Sequence, residues 1–425
     1  MFGKHKSEVL VAGAGPVGLL TAILLEERGI DVEIVDSETG TTAHSYAAAL
    51  HPYSLRLLED AGLLNDLLEE GVQVRTIGLY DRTGRRALMS LGELPVQFPF
   101  ALVVPQCELE QVLERRLEAL GTHVRWGHRL EKLDKVDGRV TAQIDRLEND
   151  SMGYVVARSG RVVAGEPTFE ASFVVGADGH RSRVRRALGI EQQLVGTPET
   201  YAVFEFEAAG LPADEVRVVL GERTRDVLWP LPGGRWRWSF QLEGGPDISL
   251  EERRKNRDWY ERPEAAFREP AAQLAALVRQ RAPWFEAKVT SLPWATIVPF
   301  GQRLTNQFGQ GMGWLAGDAA HLAGPVGVHS MNVGLSEAHE LAWRLSGIVR
   351  QVGAGSQLEE FDRRRRAEWR FLLGLEGGLV ANGAEPWVAQ NASRLLPCVP
   401  STGIELDALV GQLGLKTSGN PIELH

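Results

Sequence analysis

The spacing of apolar residues near the amino terminus predicts a strand, a helix and a second strand. Glu8–Ala12 is a short valine-rich run, which is typical of a buried strand. Apolar residues then recur at helical spacing and predict one apolar helix face: Val17, Leu20, Leu24 and Leu25. Gly29 ends that helix, and the alternating segment DVEIVD predicts the next strand. The chain is therefore expected to begin with a β-α-β unit.

The middle of the chain has a different pattern. Segments that begin at Tyr201, Glu215 and Lys288 alternate between polar and apolar positions, with turn signals between them, and predict antiparallel strands. Within them, PLPGGRWRWSF predicts a turn into a strand with Trp236 and Trp238 on one face. Residues 76–103 are expected to add strands and an entrance loop. From residue 358 onward the periodicity is helical.

Composition narrows the classes of function. The 425 residues are 44% hydrophobic and 24% charged, with a formal net charge of -10. Without a basic block, this balance argues against nucleic acid as the main partner. The two cysteines, Cys107 and Cys398, are too few for a disulfide framework and fit a reducing cytoplasm. No apolar run reaches about 18 residues, and no clear cleavage signal follows the first one, so neither a membrane span nor secretion is expected.

Between the first strand and helix, Gly13, Gly15 and Gly18 form the pattern GxGxxG. The first glycine allows a tight turn, the second lets the backbone approach a pyrophosphate, and the third lets the helix pack on the strand. The helix start offers free N–H groups to phosphate. Asp36 closes the second strand, where a carboxylate can accept ribose hydroxyls. We therefore predict a dinucleotide site. A purely structural turn is the alternative, and the motif alone does not separate FAD from NAD.

Two later predicted strands also end near an acidic residue. The segment SFVVGADG places Asp178 and Gly179 after a strand, and GWLAGDAAH places Asp318 after another. Taken singly, the first is typical of an Asp-Gly turn and the second of a helix N-cap. The glycine-broken loop GPVGVHSMNVG then leads into a predicted helix. Such a loop is typical of a close backbone approach to a ligand.

Together, the three motifs resemble those of flavoprotein monooxygenases related to p-hydroxybenzoate hydroxylase, in the same order and spacing over residues 9–343. The resemblance implies an α/β fold with a Rossmann-like FAD-binding domain of the glutathione-reductase type, built from residues 1–75, 104–190 and 298–350. It implies an inserted, mainly antiparallel β-sheet domain for substrate, built from residues 76–103 and 191–297. Residues 351–425 are expected to form a helical C-terminal segment, without the thioredoxin-like domain of longer relatives.

The same resemblance assigns residues to a non-covalently bound FAD. Around its ADP part it places Gly13, Gly15, Pro16, Val17, Gly18, Asp36 and Ser37. Around the flavin chain it places Gln106, Gly317 and Asp318, with the Asp318 carboxylate on the ribityl hydroxyls. Beside the isoalloxazine ring it places Pro325, Gly327, His329, Ser330, Met331 and Asn332.

Further residues are implied for the reductant and the substrate. Asp178 and Gly179, continued by Ser182 and Arg185, match a motif that the family links to FAD and to NAD(P)H. The sheet is expected to roof the substrate cavity, with four candidate residues: Leu228, Trp229, Trp238 and Phe240. For each of them, packing inside the core of the sheet is the alternative.

Three places depart from the family pattern. Val328, His329 and Ser330 stand where the family usually has Gly-Gln-Gly, and a β-branched valine resists positive φ. We hypothesise that His329 lies near the pyrimidine edge of the flavin and titrates near pH 6.5, and a side chain directed to solvent is the alternative. Tyr46 stands where an arginine often meets the pyrophosphate, and Glu337 replaces an aspartate.

The resemblance implies an FAD-dependent monooxygenase that uses NADPH or NADH and O2 to hydroxylate or otherwise oxygenate an aromatic or polyketide-like small molecule. A flavin oxidase or dehydrogenase on the same fold is the alternative, and a non-catalytic nucleotide-binding protein is a further one. No catalytic side chain is named, because the flavin performs the chemistry. A cytoplasmic monomer or homodimer is expected. No metal is expected, because the spacing of His321, His329 and His339 matches no ligand motif.

Overall fold

The computed structural model describes residues 4–41, 49–136, 138–149, 161–243, 267 and 269–419. In these ranges the helices are α1 (Pro16–Glu26), α2 (Pro52–Asp60), α3 (Leu64–Glu70), α4 (Gln106–Ala119), α5 (Arg183–Ala187), α6 (Pro270–Arg281), α7 (His329–Val349), α8 (Ser356–Leu372), α9 (Pro386–Leu395) and α10 (Gly403–Gly411). None of these helices is long and apolar enough to cross a membrane.

The strands in the same ranges are β1 (Lys4–Lys6), β2 (Val9–Ala12), β3 (Val32–Val35), β4 (Ala49–Leu50), β5 (Val72–Val74), β6 (Thr76–Asp81), β7 (Gly84–Ser90), β8 (Ala101–Val103), β9 (His128–Val136), β10 (Arg139–Asn149), β11 (Arg161–Gly165), β12 (Thr168–Ala171), β13 (Phe173–Gly176), β14 (Gln192–Leu194), β15 (Glu199–Ala208), β16 (Glu215–Leu220), β17 (Arg225–Leu231), β18 (Arg235–Gln241), β19 (Val289–Phe300), β20 (Arg303–Thr305), β21 (Gly309–Gln310), β22 (Gly313–Leu315), β23 (His321–Leu322), β24 (Gly378–Ala381) and β25 (Leu415–Ser418).

The predicted β-α-β unit lies in a five-stranded sheet with the order β21-β22-β13-β2-β3. The strands β2, β3, β13 and β22 are parallel, and β21 adds an antiparallel edge. All four residues of β2 are buried, as expected for a strand covered on both faces. Because parallel strands end at the same edge of a sheet, the motifs that follow β2, β13 and β22 meet there.

A seven-stranded sheet forms the second large unit, with the order β19-β15-β18-β17-β16-β6-β7. The pair β16 and β6 is parallel, and the other neighbours are antiparallel. Residues 76–90 thereby join the strands between residues 199 and 300. One face of the sheet packs on the core that contains β2, and α6 covers the other face. The mixed α/β fold class is confirmed.

The C-terminal residues 356–419 are mostly helical, but they also contain a two-stranded antiparallel sheet of β24 and β25. The helical periodicity of the sequence does not predict these strands. The helix α8 ends at Leu372, and Gly377 and Gly378 follow with φ of 75° and 147°. Glycine adopts such conformations without steric cost, so the chain leaves the helix and starts a strand there.

Candidate active site

The glycine turn between β2 and α1 borders a cavity of about 270 Å³. Gly13 has a φ of 107°, and a side chain there would collide with the backbone of Ala177, which belongs to the second motif. A side chain on Gly15 would instead meet nothing within 4 Å, because this residue faces the cavity. Pro16 is at the start of α1, where its missing N–H is not needed. The other free N–H groups of the first turn are placed to bind phosphate.

All three motifs contribute residues to this cavity. The predicted cofactor residues that line it are Gly15, Pro16, Val17, Gln106, Gly179, Asp318, Pro325, Ser330 and Met331. Lining residues that are not among the predicted cofactor residues are Ala177, Phe300, Ala316, Leu322, Ala323, Gly324 and Val328. The remaining predicted cofactor residues do not line it: Gly13, Gly18, Asp36, Ser37, Asp178, Gly317, Gly327, His329 and Asn332. Mostly apolar walls with a few polar groups suit a flat ring system.

Asp36 lies at the end of β3, beside the glycine turn. Its Oδ2 accepts from the N–H of Ala14 at 2.6 Å, and its Oδ1 accepts from the N–H of Glu38 at 2.7 Å. Burial raises the pKa of Asp36, and the two N–H donors act in the opposite direction. A carboxylate oxygen can accept more than one hydrogen bond. The side chain can therefore still accept a ribose hydroxyl.

The second and third motifs are joined by an arginine. The Arg185 guanidinium donates to the carbonyl oxygen of Ala319 at 2.7 Å and to that of His180 at 3.0 Å. Asp178 holds the start of α5, because its Oδ2 accepts from the N–H groups of Arg183 and Val184 at 2.6 and 3.2 Å. Burial raises the pKa of Asp178. In this arrangement Gly179 borders the cavity, and Asp178 lies behind it.

A fully buried network holds the turn that carries Asp318. Glu337, on α7, accepts from the N–H of Gly317 and from His321 Nε2 through one oxygen, at 2.8 Å each. Its other oxygen accepts from the indole N–H of Trp369 at 2.9 Å. The rings of His321 and Trp369 stack at 3.8 Å. Burial raises the pKa of Asp318 to about 6, His321 lowers it, and Glu337 raises it further.

We call residues 324–332 the flavin loop. It enters α7 through Val328, which has φ 52° and ψ 40°. The structure thus keeps a left-handed residue where the sequence carries valine, at a cost on the order of 1–3 kcal/mol. Asn332 stabilises this path: its Nδ2 donates to the carbonyl oxygens of Ala49 and Val328, at 2.9 and 2.8 Å. The N–H groups of the first turn of α7 start beside the cavity, where they suit an anionic ring edge.

The His329 side chain does not lie where we hypothesised. It is buried to 2% exposure, does not line the cavity, and packs edge-on against His51 with ring centroids 5.7 Å apart. Burial lowers its pKa to about 4, although the backbone of Ser401 and Val399 acts in the opposite direction. A histidine that titrates near pH 6.5 at the flavin edge does not fit this environment, and a histidine directed to solvent does not fit it either. The sequence could not indicate where the His329 side chain points, because Val399 and Ser401, about 70 positions later, surround it.

The four predicted substrate-cavity residues fall on opposite faces of the sheet. Trp229 belongs to the core that also contains β2. Trp238 and Phe240 stack at 4.6 Å on the other face, in a cluster with Leu228 and the α6 residue Leu277. This corrects the assignment for Leu228, Trp238 and Phe240, which pack the sheet core. Successive residues of a strand point to opposite faces, so Leu228 and Trp229 cannot share a side.

A charged cluster that the sequence analysis missed lies next to the flavin loop. The hydroxyl of Tyr201 donates to Glu199 Oε2 at 2.9 Å, and Arg225 forms an ion pair with the same carboxylate. A side chain on Gly324 would come within 3.3 Å of Glu199 Oε2. The detectable signal was that Glu199 and Tyr201, two residues apart on one strand, place two polar groups on the same face. Tyr46, the predicted departure at the pyrophosphate, lies outside the described residues.

Two members of this cluster, Glu199 and Arg225, line a second, larger cavity of about 810 Å³, and Tyr201 does not. Its walls combine the ends of the sheet strands with the C-terminal residues. They include Glu199, Arg225, Gln241, Leu372, Leu379, Leu396 and Pro397. Glu199 therefore lies between this cavity and Gly324, which lines the smaller one.

Known proteins similar to this chain include several monooxygenases. The chain is 31% identical over 363 residues to 6-methylpretetramide 4-monooxygenase from Streptomyces rimosus, which covers 84% of this chain and 59% of that protein. It is 27% identical over 374 residues to pentachlorophenol 4-monooxygenase from Sphingobium chlorophenolicum, covering 86% and 63%. The chain thus spans about three fifths of the length of these two relatives.

Among solved structures, p-nitrophenol 4-monooxygenase from Pseudomonas putida DLL-E4 superposes with a TM-score of 0.69 at 26% identity, covering 86% of both chains. The family described as FAD binding domain matches residues 6–372. The chain therefore belongs to the FAD-binding family of flavoprotein monooxygenases that resemble p-hydroxybenzoate hydroxylase.

Proposed function

We propose that the chain is an FAD-dependent monooxygenase that uses NADPH or NADH and O2 to hydroxylate an aromatic or polyketide-like small molecule. The observation that carries the proposal is that two cavities are neighbours. Gly324 lines the small cavity with its glycine turns and helix starts, Glu199 lines the large one, and these two residues pack against each other. Relatives named for their action on a pretetramide, pentachlorophenol and p-nitrophenol support the class of substrate.

The residues of the small cavity fit FAD. The start of α1 would hold the pyrophosphate, and Asp36 would accept the ribose hydroxyls. Asp318 would face the ribityl chain, and the first N–H groups of α7 would face the ring edge. When bound, FAD supplies the redox and oxygen-transfer chemistry. The protein positions the ring and keeps water away from it. We propose non-covalent binding, and flavin that stays with acid-precipitated protein would contradict it.

The large cavity is the proposed substrate site. Burial raises the pKa of Tyr201 well above its usual value, and Glu199 adds to this effect, so the phenol keeps its proton. Tyr201 directs that proton to Glu199, whose charge Arg225 balances. Glu199 and Arg225, which line this cavity, would therefore bind polar groups of the substrate, and Tyr201 keeps the Glu199 carboxylate in place. The volume of about 810 Å³ accommodates several fused rings.

The reductant is proposed to dock beside Gly179. Burial lowers the pKa of His180, and three nearby arginines, Arg181, Arg185 and Arg303, lower it further. Such a concentration of positive charge next to the cofactor cavity suits the phosphates of a dinucleotide. Comparing flavin reduction by NADPH and by NADH in the absence of oxygen would determine which one is used.

Isotope labelling tests the proposed activity. The purified FAD-loaded protein is incubated with NADPH or NADH, ¹⁸O2 and a panel of phenols and polycyclic aromatic polyketides. We expect one ¹⁸O atom in the product for each NAD(P)H consumed with a true substrate. Stoichiometric hydrogen peroxide without labelled product across the panel would favour the oxidase alternative. A chain that does not bind FAD would support the non-catalytic one.

A further inference from the structure

We propose that His329 is a positioning residue for the flavin: its buried ring connects the C-terminal residues 397–401 to the flavin loop and keeps Val328 left-handed. The inference rests on the proposed FAD site. It assigns to this histidine a steric role in place of a titrating one. It also makes part of the C-terminal region a structural component of the cofactor site.

The first step is that Val328 needs external support. A β-branched residue in the left-handed region is a genuine outlier, and such strain persists only where the surrounding structure over-determines it. If Val328 relaxed, the start of α7 would rotate. The N–H groups of Ser330 and Met331, which line the cofactor cavity, would then lose their direction.

The second step is that contacts on the α2 side hold only part of the loop. His51 Nε2 donates to the carbonyl oxygen of Gly327 at 2.8 Å. Asn332 Oδ1 accepts from the N–H of His51 at 2.7 Å and from the Ser54 hydroxyl at 2.8 Å. These bonds fix the carbonyl of Gly327 and the first turn of α7. They leave the opposite side of Gly327 to be held by another element.

The third step is that His329 and the C-terminal residues hold that opposite side. A Cβ atom on Gly327 would lie 2.6 Å from His329 Cε1 and 2.7 Å from the carbonyl oxygen of Pro397. The loop backbone is therefore packed closely against both. The His329 ring also faces the backbone of Val399 and Ser401. Its Nε2 has no hydrogen-bond partner within the described residues, so close packing holds the ring.

The test combines two substitutions and measures FAD binding to the apoprotein by flavin fluorescence. We expect His329→Leu to raise the FAD Kd about tenfold, because Val328 would lose its left-handed geometry and the start of α7 would no longer be positioned for FAD. Val328→Gly removes the strain, because glycine adopts positive φ freely. In the Val328→Gly background, His329→Leu should therefore change the Kd less than about twofold. A residue that acts only through general stability would weaken FAD binding equally in both backgrounds.

Gln351 provides the matched control, because it is the other described non-glycine residue with positive φ, 61°, and lies just beyond the far end of α7. In a Gln351→Gly background, the effect of His329→Leu should remain about tenfold. If His329→Leu does not fold, His329→Gln carries the same comparison.

Equal effects of His329→Leu in the wild-type and Val328→Gly backgrounds, or no effect in the wild type, would overturn the proposal while leaving the proposed function intact. A wild-type protein that binds no FAD would overturn both.

Discussion

Two helix starts border the smaller cavity, and the turns that precede them are stabilised in different ways. The start of α1 follows a turn in which Gly13 adopts a φ of 107° without steric cost. The start of α7 follows Val328, which is strained, and contacts from α2 and from the C-terminal residues hold it. Local sequence thus suffices at the first site, and tertiary packing is required at the second. The turn before α1 can therefore be predicted from its own sequence, whereas the turn before α7 can be understood only from its contacts in the folded protein.

The largest expected effect is at the first helix start. Gly13→Ala places a Cβ against the backbone of Ala177 and Asp178 and forces an unfavourable φ. We expect the free energy of unfolding to fall by about 3 kcal/mol or more, with loss of FAD binding. Urea unfolding of the apoprotein measures the first quantity and fluorescence titration the second. Near wild-type stability would mean that this turn, too, tolerates strain.

The next effect concerns the support of α7. Glu337→Gln removes the charged acceptor of Gly317 and His321, which are both buried. We expect a loss of about 2–3 kcal/mol in the free energy of unfolding. The pKa of Asp318 should also fall, because the nearby negative charge is gone. Glu360→Gln is the control: its carboxylate pairs with Arg344 but is 48% exposed, so its loss should cost less than about 1 kcal/mol. Equal losses for the two variants would contradict the buried network.

Low pH should decrease the free energy of unfolding through the buried histidines beside α7. The folded pKa of His329 is about 4, below the value of 6.5 for an exposed histidine, so the unfolded chain binds more protons between these values. Stability is therefore lost as the pH falls below 6.5, and His329 alone contributes about 2 kcal/mol between pH 7.5 and pH 5. His51, with a pKa of about 3, adds in the same direction. The His329→Leu variant should show a correspondingly shallower decline. Parallel curves for the two proteins would show that His329 is not buried as a neutral ring.

The smallest effect separates binding from folding at the first helix. A methyl group on Gly15 meets no atom within 4 Å, and the φ of this residue is an ordinary -73°. Gly15→Ala should change the free energy of unfolding by less than about 0.5 kcal/mol. It should nevertheless weaken FAD binding, because the methyl group enters the cavity. Unchanged FAD affinity would remove Gly15 from the phosphate site.

The sequence predicted the structural features that depend on residues close to one another along the chain. The first β-α-β unit, with Gly13 and Gly15, follows from periodicity and turn chemistry within about 30 residues. Strand alternation also showed that Trp236 and Trp238 share a face. It could not show which face meets the cofactor domain, because α6 decides that. The Glu199–Tyr201–Arg225 cluster was missed for a similar reason: its relation to Gly324 depends on how the sheet packs against the cofactor domain.

The contact between the flavin loop and residues 397–401 has a consequence for the order of assembly in the cell. The glycine turn at residue 13 leaves the ribosome well before its partner Ala177 is made. Gly327, in the flavin loop, can pack against Pro397 only after the residues between them have been synthesised. Contacts so distant in sequence form late in folding. A nascent chain would thus display its nucleotide motif long before the flavin loop is held in place, and cofactor insertion becomes a step that waits for the synthesis of Pro397.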